Sequence, residues 1–223
     1  LQVGSDGLLD LEELKAALTD QTILVSIMSV QNEIGTIQPM AKIGAICRER
    51  KVFLHTDAAQ AVGKIPIDVK QMKIDLLSLT AHKIFGPMGI GALYVGKKPR
   101  VRLEPIFSGG GQEKGLRSGT LAPALCVGLG EALRIADEEM LGDAARLGAL
   151  RDQMWQRLNG AVPGLVLNGS MTNRIGVNLN FSVDGADAES LMAALPGLAV
   201  SSGSACSSAS DDSSHVLKAI GLS

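Results

Sequence analysis

Residues 81–95 read AHKIFGPMGIGALYV. An apolar run at residues 75–79 leads towards Lys83, a turn follows at Gly86 and Pro87, and a second apolar run fills residues 90–95. Strand, turn and strand is the simplest reading. Upstream, residues 22–30 (TILVSIMSV) are nearly all apolar or β-branched, as for a strand buried on both faces. Pro39 opens a helix that carries Met40, Ile43, Ile46 and Cys47 at helical spacing, and residues 48–51 close it with mostly positive charge. Residues 52–55 form the next short buried strand. Strand–helix–strand alternation predicts parallel pairing through crossovers, and hence an α/β fold. No GxGxxG follows any of these strands, so the dinucleotide-binding fingerprint is missing.

Outward from this centre the chain is mostly helical. Asp10 and Glu13 resemble a capping box that opens a helix with Leu11, Leu14 and Leu18 on one face. Residues 58–63 suit one or two helical turns. After a basic run, GKKPRVR, comes the glycine-rich segment GGGQEKGLRSGT at residues 109–120. Thr120 can cap a long helix with Leu125, Leu129, Ala132, Leu133, Ala136 and Met140 on one face. Leu147, Leu150, Met154, Trp155 and Leu158 continue the pattern until Asn159 and Gly160 end it. A domain boundary is expected near residue 140, giving a larger domain over 1–140 and a smaller one over 141–223. The second part reads as α+β. Residues 177–183 alternate as a half-exposed strand, Asp187 caps a helix stopped by Pro196 and Gly197, and Ser213 or Ser214 caps a last helix.

Composition narrows the function. The 223 residues are 46% hydrophobic and 20% charged, ample for a core. A formal net charge of -2, with one tryptophan, one tyrosine and four phenylalanines, argues against nucleic-acid binding. No stretch approaches the twenty apolar residues of a membrane span. Cys47, Cys126 and Cys206 are far apart with no C-x-x-C pair, which fits neither a disulfide framework nor a metal site. A reducing, cytoplasmic setting follows, or an organelle matrix if a targeting segment precedes the chain. The chain starts at Leu1 and stops just past a short helix, so it reads as a fragment of a longer protein.

Asp57 and Lys83 each fall just beyond the C-terminal end of a parallel strand, where open α/β sheets gather ligands. A lysine amine with a carboxylate is the pair that pyridoxal 5'-phosphate (PLP) requires. The lysine forms a Schiff base, and the carboxylate keeps the pyridine nitrogen protonated so that the ring accepts electrons. On spacing alone a capping aspartate and a surface lysine remain open. Thr80 and His82 can donate to a phosphate, although a lone histidine is commonly structural, as His55 and His215 are read here. The 109–120 loop combines glycines, Arg117, Ser118 and a helix start, which suits an anion or simply a flexible connection. Cys47 and Cys126 sit among apolar helical residues and read as inert core. Cys206 lies instead in the polar stretch SSGSACSSAS, where a thiol is either a reachable nucleophile or incidental.

Six ordered segments then match one family: SVQNEIG, HTDAAQAVGK, SLTAHKIFGPMGIGALYV, GGGQEKGLRSGT, SSGSAC and SHVLKAIG, spanning residues 29–221. The chain closely resembles the cysteine desulfurases of the NifS/IscS type, within the class-V aminotransferase group of fold-type-I PLP enzymes. The resemblance implies a three-layer αβα large domain with a mainly parallel sheet, plus part of a smaller α+β domain carrying the cysteine loop. It implies that Lys83 is the Schiff-base lysine and the acid/base for the α-proton. Asp57 then pairs with the pyridine nitrogen, and Gln60 donates to the ring hydroxyl. Asn32 lies near that hydroxyl and the substrate carboxylate, and Thr80 and His82 bind phosphate. Thr120 reaches the phosphate of the other subunit of a homodimer, and Cys206 becomes the persulfide.

The implied reaction converts L-cysteine to L-alanine, with sulfur passed to an iron–sulfur scaffold protein and other sulfur acceptors. SSGSAC resembles the long-loop branch of iron–sulfur assembly rather than the selenocysteine-lyase-like branch. A selenocysteine lyase or another class-V lyase is the alternative enzyme, and a catalytically incomplete fragment that only binds partners is the alternative outside enzymes. Gln31 stands where the family usually has asparagine, and Met88 where lysine is common. The ring-stacking histidine and the carboxylate-binding arginine of the family belong to segments outside this chain.

Overall fold

The computed structural model describes residues 1–202 and 214–222. By contact the chain divides into two compact units: Leu1–Thr19, Val30–Pro39 and Leu141–Ser223 make one, and Asp20–Ser29 with Met40–Met140 make the other. A single cut at residue 140 therefore does not describe the division, because two early segments belong with the C-terminal part.

The unit built on Met40–Met140 is α/β. Its sheet has four strands in sequence order: β1 (Leu24–Ser26), β2 (Phe53–Asp57), β3 (Leu76–Thr80) and β4 (Gly91–Val95). β1–β2 and β2–β3 are parallel, and β4 returns antiparallel to β3 with Thr80 opposite Gly91. Helix α2 (Met40–Glu49) connects β1 to β2 and buries Met40, Ile43, Ile46 and Cys47, the stripe expected from the spacing. Burial lifts the Cys47 thiol to about 11, with the neighbouring Asp75 charge adding to it, so this cysteine is a neutral core group. Gly44 sits where α2 crosses the Met72 carbonyl, and any Cβ there would collide with backbone.

Asp75 is a buried charge that organises the sheet. It is 3% exposed, accepts from Leu54 N at 2.9 Å and pairs with Arg48 Nη2 at 2.8 Å. A buried carboxylate persists when its oxygens are bonded in this way.

The expectation for residues 22–30 changes. Only three residues of the 22–30 run form β1, and they alternate exposed, buried, exposed. β1 is an edge strand with one covered face, which a continuous apolar run does not reveal. Residues 58–63 form overlapping turns, with Ala61 N and Val62 N both donating to Ala58 O at 2.9 Å.

Helix α3 (Pro123–Ala161) is one continuous helix of 39 residues. Thr120 lies three residues before it and does not cap it; proline takes the first helical position, where a missing N–H costs nothing. Leu129 and Ala132 are buried and pack against Ala81 and Ile84, with Val62, Leu79, Ile90 and Leu133 around them. Cys126 is exposed rather than in the core, because this part of α3 buries only that narrow stripe.

The other unit holds helix α1 (Leu11–Ala17), capped by Asp10, and an antiparallel pair, β5 (Leu165–Leu167) with β6 (Phe181–Val183). Glu13 does not complete a capping box; its carboxylate accepts from Gln2 N at 3.1 Å. Helix α4 (Ala188–Ala194) is capped by Asp187, and α5 (His215–Ala219) by Ser214. Val216 and Ile220 of α5 pack on Ile34. Arg174 stitches the loops of this unit, donating to Ser170 O at 2.7 Å, to Asn178 Oδ1 at 2.9 Å and to Asn168 O. Burial, and then the charge of Arg151, lower its guanidinium to about 10.

Candidate active site

Two adjacent parallel strands end together. Asp57, the last residue of β2, pairs with Ser78 of β3, and Ala58 N then donates to Ser78 O at 2.9 Å. The Asp57 side chain is exposed; its Oδ1 accepts from Ala59 N at 2.8 Å, leaving Oδ2 unpartnered among the described residues. A carboxylate with one oxygen held by the backbone has a fixed direction and a free acceptor.

β3 runs into a 3-10 turn, Ala81–Ile84. Ala81 and Ile84 are buried, whereas His82 and Lys83 between them are exposed. The turn is pinned from below by Leu129 and Ala132 and closed by Ala81 N, which donates to Ile90 O at 3.1 Å. Phe85, with φ 61, reverses the chain in the left-handed region, and Gly86 N donates back to Ala81 O at 2.9 Å. That conformation is costly for a bulky residue and marks a backbone held by its surroundings. Thr80 Oγ1 lies 2.8 Å from His82 Nδ1 and also reaches Ile90 O at 3.4 Å. Two groups able to donate to a phosphate are thus tied together beside the lysine.

Gln60 sits in the turns that follow β2. Its Oε1 accepts from Lys64 Nζ at 3.1 Å, and the same Nζ donates to the Lys83 carbonyl at 3.4 Å. Burial lowers the Lys64 amine to about 8, with the charge of Lys83 as the second cause. Lys64 ends the segment HTDAAQAVGK, and the family resemblance implies no role for it. The available signal was its position four residues after Gln60, just before an apolar run.

Thr120 is exposed at the end of the glycine-rich loop. In that loop Gly119 N donates to Gln112 Oε1 at 3.1 Å, and Arg117 turns onto the carbonyls of Ser118 and Gly119 at 3.2 Å. Among the described residues no hydrogen bond joins Thr120 to the Lys83 turn.

Asn32 belongs to the other compact unit. Gln31 turns its carbonyl onto Ile34 N at 2.9 Å, as a shorter asparagine can, and its Nε2 donates to Asn32 Oδ1 at 3.2 Å. Among the described residues the Asn32 NH2 has no hydrogen-bond acceptor. Met88 is 82% exposed. Cys206 lies outside the described residues.

The donor set fits PLP. A free carboxylate oxygen on Asp57, the solvent-facing Lys83, the Thr80–His82 hydroxyl–imidazole pair and the Gln60 amide, whose oxygen is held by Lys64, stand at or just beyond the ends of two neighbouring strands. These are the partners that a pyridine nitrogen, an aldehyde, a phosphate and a ring hydroxyl need.

The profile described as Aminotransferase class-V matches residues 1–221. A cysteine desulfurase IscS of Histophilus somni (strain 2336) is 59% identical over 218 residues, covering 98% of this chain and 54% of that protein. A probable mitochondrial cysteine desulfurase of Dictyostelium discoideum is 54% identical over 222 residues, covering 100% of this chain and 49% of that protein. A solved NifS-like protein superposes with a TM-score of 0.89 at 34% identity, covering 100% of this chain and 58% of that one. The chain spans about half the length of the curated relatives it matches. With the profile matched from residue 1 to residue 221, the chain belongs to the class-V aminotransferase family.

Proposed function

We propose that the protein containing this chain is a PLP-dependent cysteine desulfurase. It converts L-cysteine to L-alanine and hands the sulfur to Cys206. The observation that carries the reading is the pairing of strand ends: Asp57 and Lys83 emerge from adjacent parallel strands whose register is fixed by Asp57 opposite Ser78. The relatives named cysteine desulfurase support the substrate.

PLP, when bound, supplies an electron sink for the bonds at the substrate Cα. Asp57 offers Oδ2 to the pyridine nitrogen and keeps a proton there. Thr80 and His82 hold the phosphate, with Oγ1 and the imidazole already aligned on each other. Gln60 presents its NH2 to the ring hydroxyl, and Asn32 keeps the donor role implied by the resemblance. Lys83 anchors the cofactor and then carries the proton at the substrate Cα. Its exposure on a turn bolted to α3 gives the amine reach without moving the backbone.

The Cys206 thiolate attacks the sulfur of L-cysteine. An S–S bond forms, the substrate C–S bond breaks, and the carbon keeps that electron pair and takes a proton, giving alanine and a persulfide. Thr120 reaches a second subunit's phosphate in a homodimer. The persulfide sulfur then passes to an iron–sulfur scaffold or another acceptor. Among the described residues no helix is long and apolar enough to cross a membrane.

Full-length protein incubated with PLP and L-cysteine should form alanine and one extra sulfur on the Cys206 peptide. Cys206→Ser should keep the visible absorbance of bound cofactor and form no persulfide. A persulfide found on Cys126 or Cys47 instead would reassign the nucleophile.

A further inference from the structure

A lysine side chain can only donate while it is charged, so whatever it touches must turn an acceptor towards it. Lys64 Nζ lies 3.1 Å from the Gln60 side-chain carbonyl and 3.4 Å from the backbone carbonyl of Lys83. Gln60 and Lys64 are four residues apart in the turns after β2, so the contact is built into the local chain path. Gly63 allows that path to pack closely: with φ +72, its missing Cβ would sit 3.0 Å from both Ile84 and Ala136. The half-buried ammonium is therefore held between the residue expected to meet the ring hydroxyl and the residue expected to carry the cofactor.

We propose that Lys64 is a positioning residue: by occupying the Gln60 carbonyl while anchored on the Lys83 main chain, it forces the Gln60 amide to present only its NH2 to the cofactor's ring hydroxyl. An amide left free can turn either end outward, and the carbonyl end would repel an ionised hydroxyl. The direction of the amide is set by chemistry and not by chance. With its amine lowered only to about 8, Lys64 remains an ammonium at neutral pH and keeps this hold. The charged groups on the elements around it are Lys83, from the turn after β3, and Asp137 of α3, which lines an apolar cleft with Gly63 and Ile65. The inference rests on the PLP reading given above and adds a residue to which that reading gives no task.

The test uses the full-length protein loaded with PLP and follows the visible spectrum of the bound cofactor through a pH titration, together with its dissociation constant. Lys64→Met and Lys64→Ala, read in parallel so that misfolding of one leaves the other, should shift the pH midpoint of the spectrum as Gln60→Ala does. They should weaken cofactor binding about tenfold, the scale of one charge-assisted hydrogen bond. Lys64→Arg, which can donate to both carbonyls, should restore the wild-type midpoint. In a Gln60→Ala background, Lys64→Met should add no further shift. An unshifted midpoint in the Lys64 variants, or a shift that persists in full without Gln60, would overturn the proposal. Absence of any Lys83-dependent spectrum in the wild type would instead overturn the PLP reading itself.

Discussion

The Thr80 hydroxyl and His82 Nδ1 lie 2.8 Å apart across Ala81, so the two side chains form one unit at the end of β3. Each fixes the other's orientation before any phosphate arrives. Thr80→Val keeps the shape and β-branching of the residue but removes the hydroxyl. PLP affinity of the full-length protein, measured by equilibrium dialysis, should fall about tenfold. An unchanged affinity would remove this pair from the phosphate site.

Asp57 has a different task. Asp57→Asn preserves the acceptor to Ala59 N and the shape of the strand end, but removes the charge that holds a proton on the pyridine nitrogen. Cofactor should still bind, while alanine formation drops roughly a hundredfold or more. Equal losses in binding and turnover would mean that the carboxylate acts only as a tether.

Lys64 makes a pH-dependent contribution with a defined sign. Its folded value of about 8 lies below the 10.5 of a free lysine, so between these values the unfolded chain holds a proton that the native chain has released. Its contribution to stability therefore rises with pH from about 8 to 10.5 and costs stability below that window. Cys47, raised to about 11 from 9.0, contributes oppositely, losing stability as pH rises through that range. The difference between wild type and Lys64→Met isolates the lysine. Melting curves from pH 7 to pH 11 should show the variant gaining relative to wild type at the acidic end.

Two positions carry stability without chemistry. Asp75→Ala leaves Leu54 N without its side-chain acceptor and Arg48 without its ion-pair partner, and should cost about 3 kcal/mol. Gly44→Ala drives a methyl into the Met72 carbonyl and should cost about 1–3 kcal/mol. Denaturant melts of both variants check these values, and a neutral Gly44→Ala would mean that α2 can slide away from the 72–73 turn.

The parts of the fold legible in the sequence were those with a one-dimensional signature. The stripe of α2, the caps Asp187 and Ser214, and the strand-turn-strand around Lys83 follow from spacing and turn chemistry. The one-sided burial of β1 is not legible, because an apolar run looks the same whether one face or both are covered. The same holds for α3: residues 123–161 continue as one helix through Gly130, Gly142 and Gly148, which cost helix propensity without ending it. β5 is too short at three residues to stand out. In the proposed site, Asp57, Thr80, His82 and Lys83 are named from their motifs. Lys64 is not, since its meaning lies in two carbonyls, one of them 19 residues away and on the main chain.

Two lysines now lie within one hydrogen-bonded group, and the central claim gives only one of them a covalent role. Borohydride reduction of the PLP-loaded full-length protein, followed by digestion and peptide mass mapping, locates the bond between cofactor and chain. The expected result is a pyridoxyl label on Lys83 and none on Lys64, with no label in Lys83→Ala. A label on Lys64 in the wild type, or no label on either lysine, would contradict the assignment.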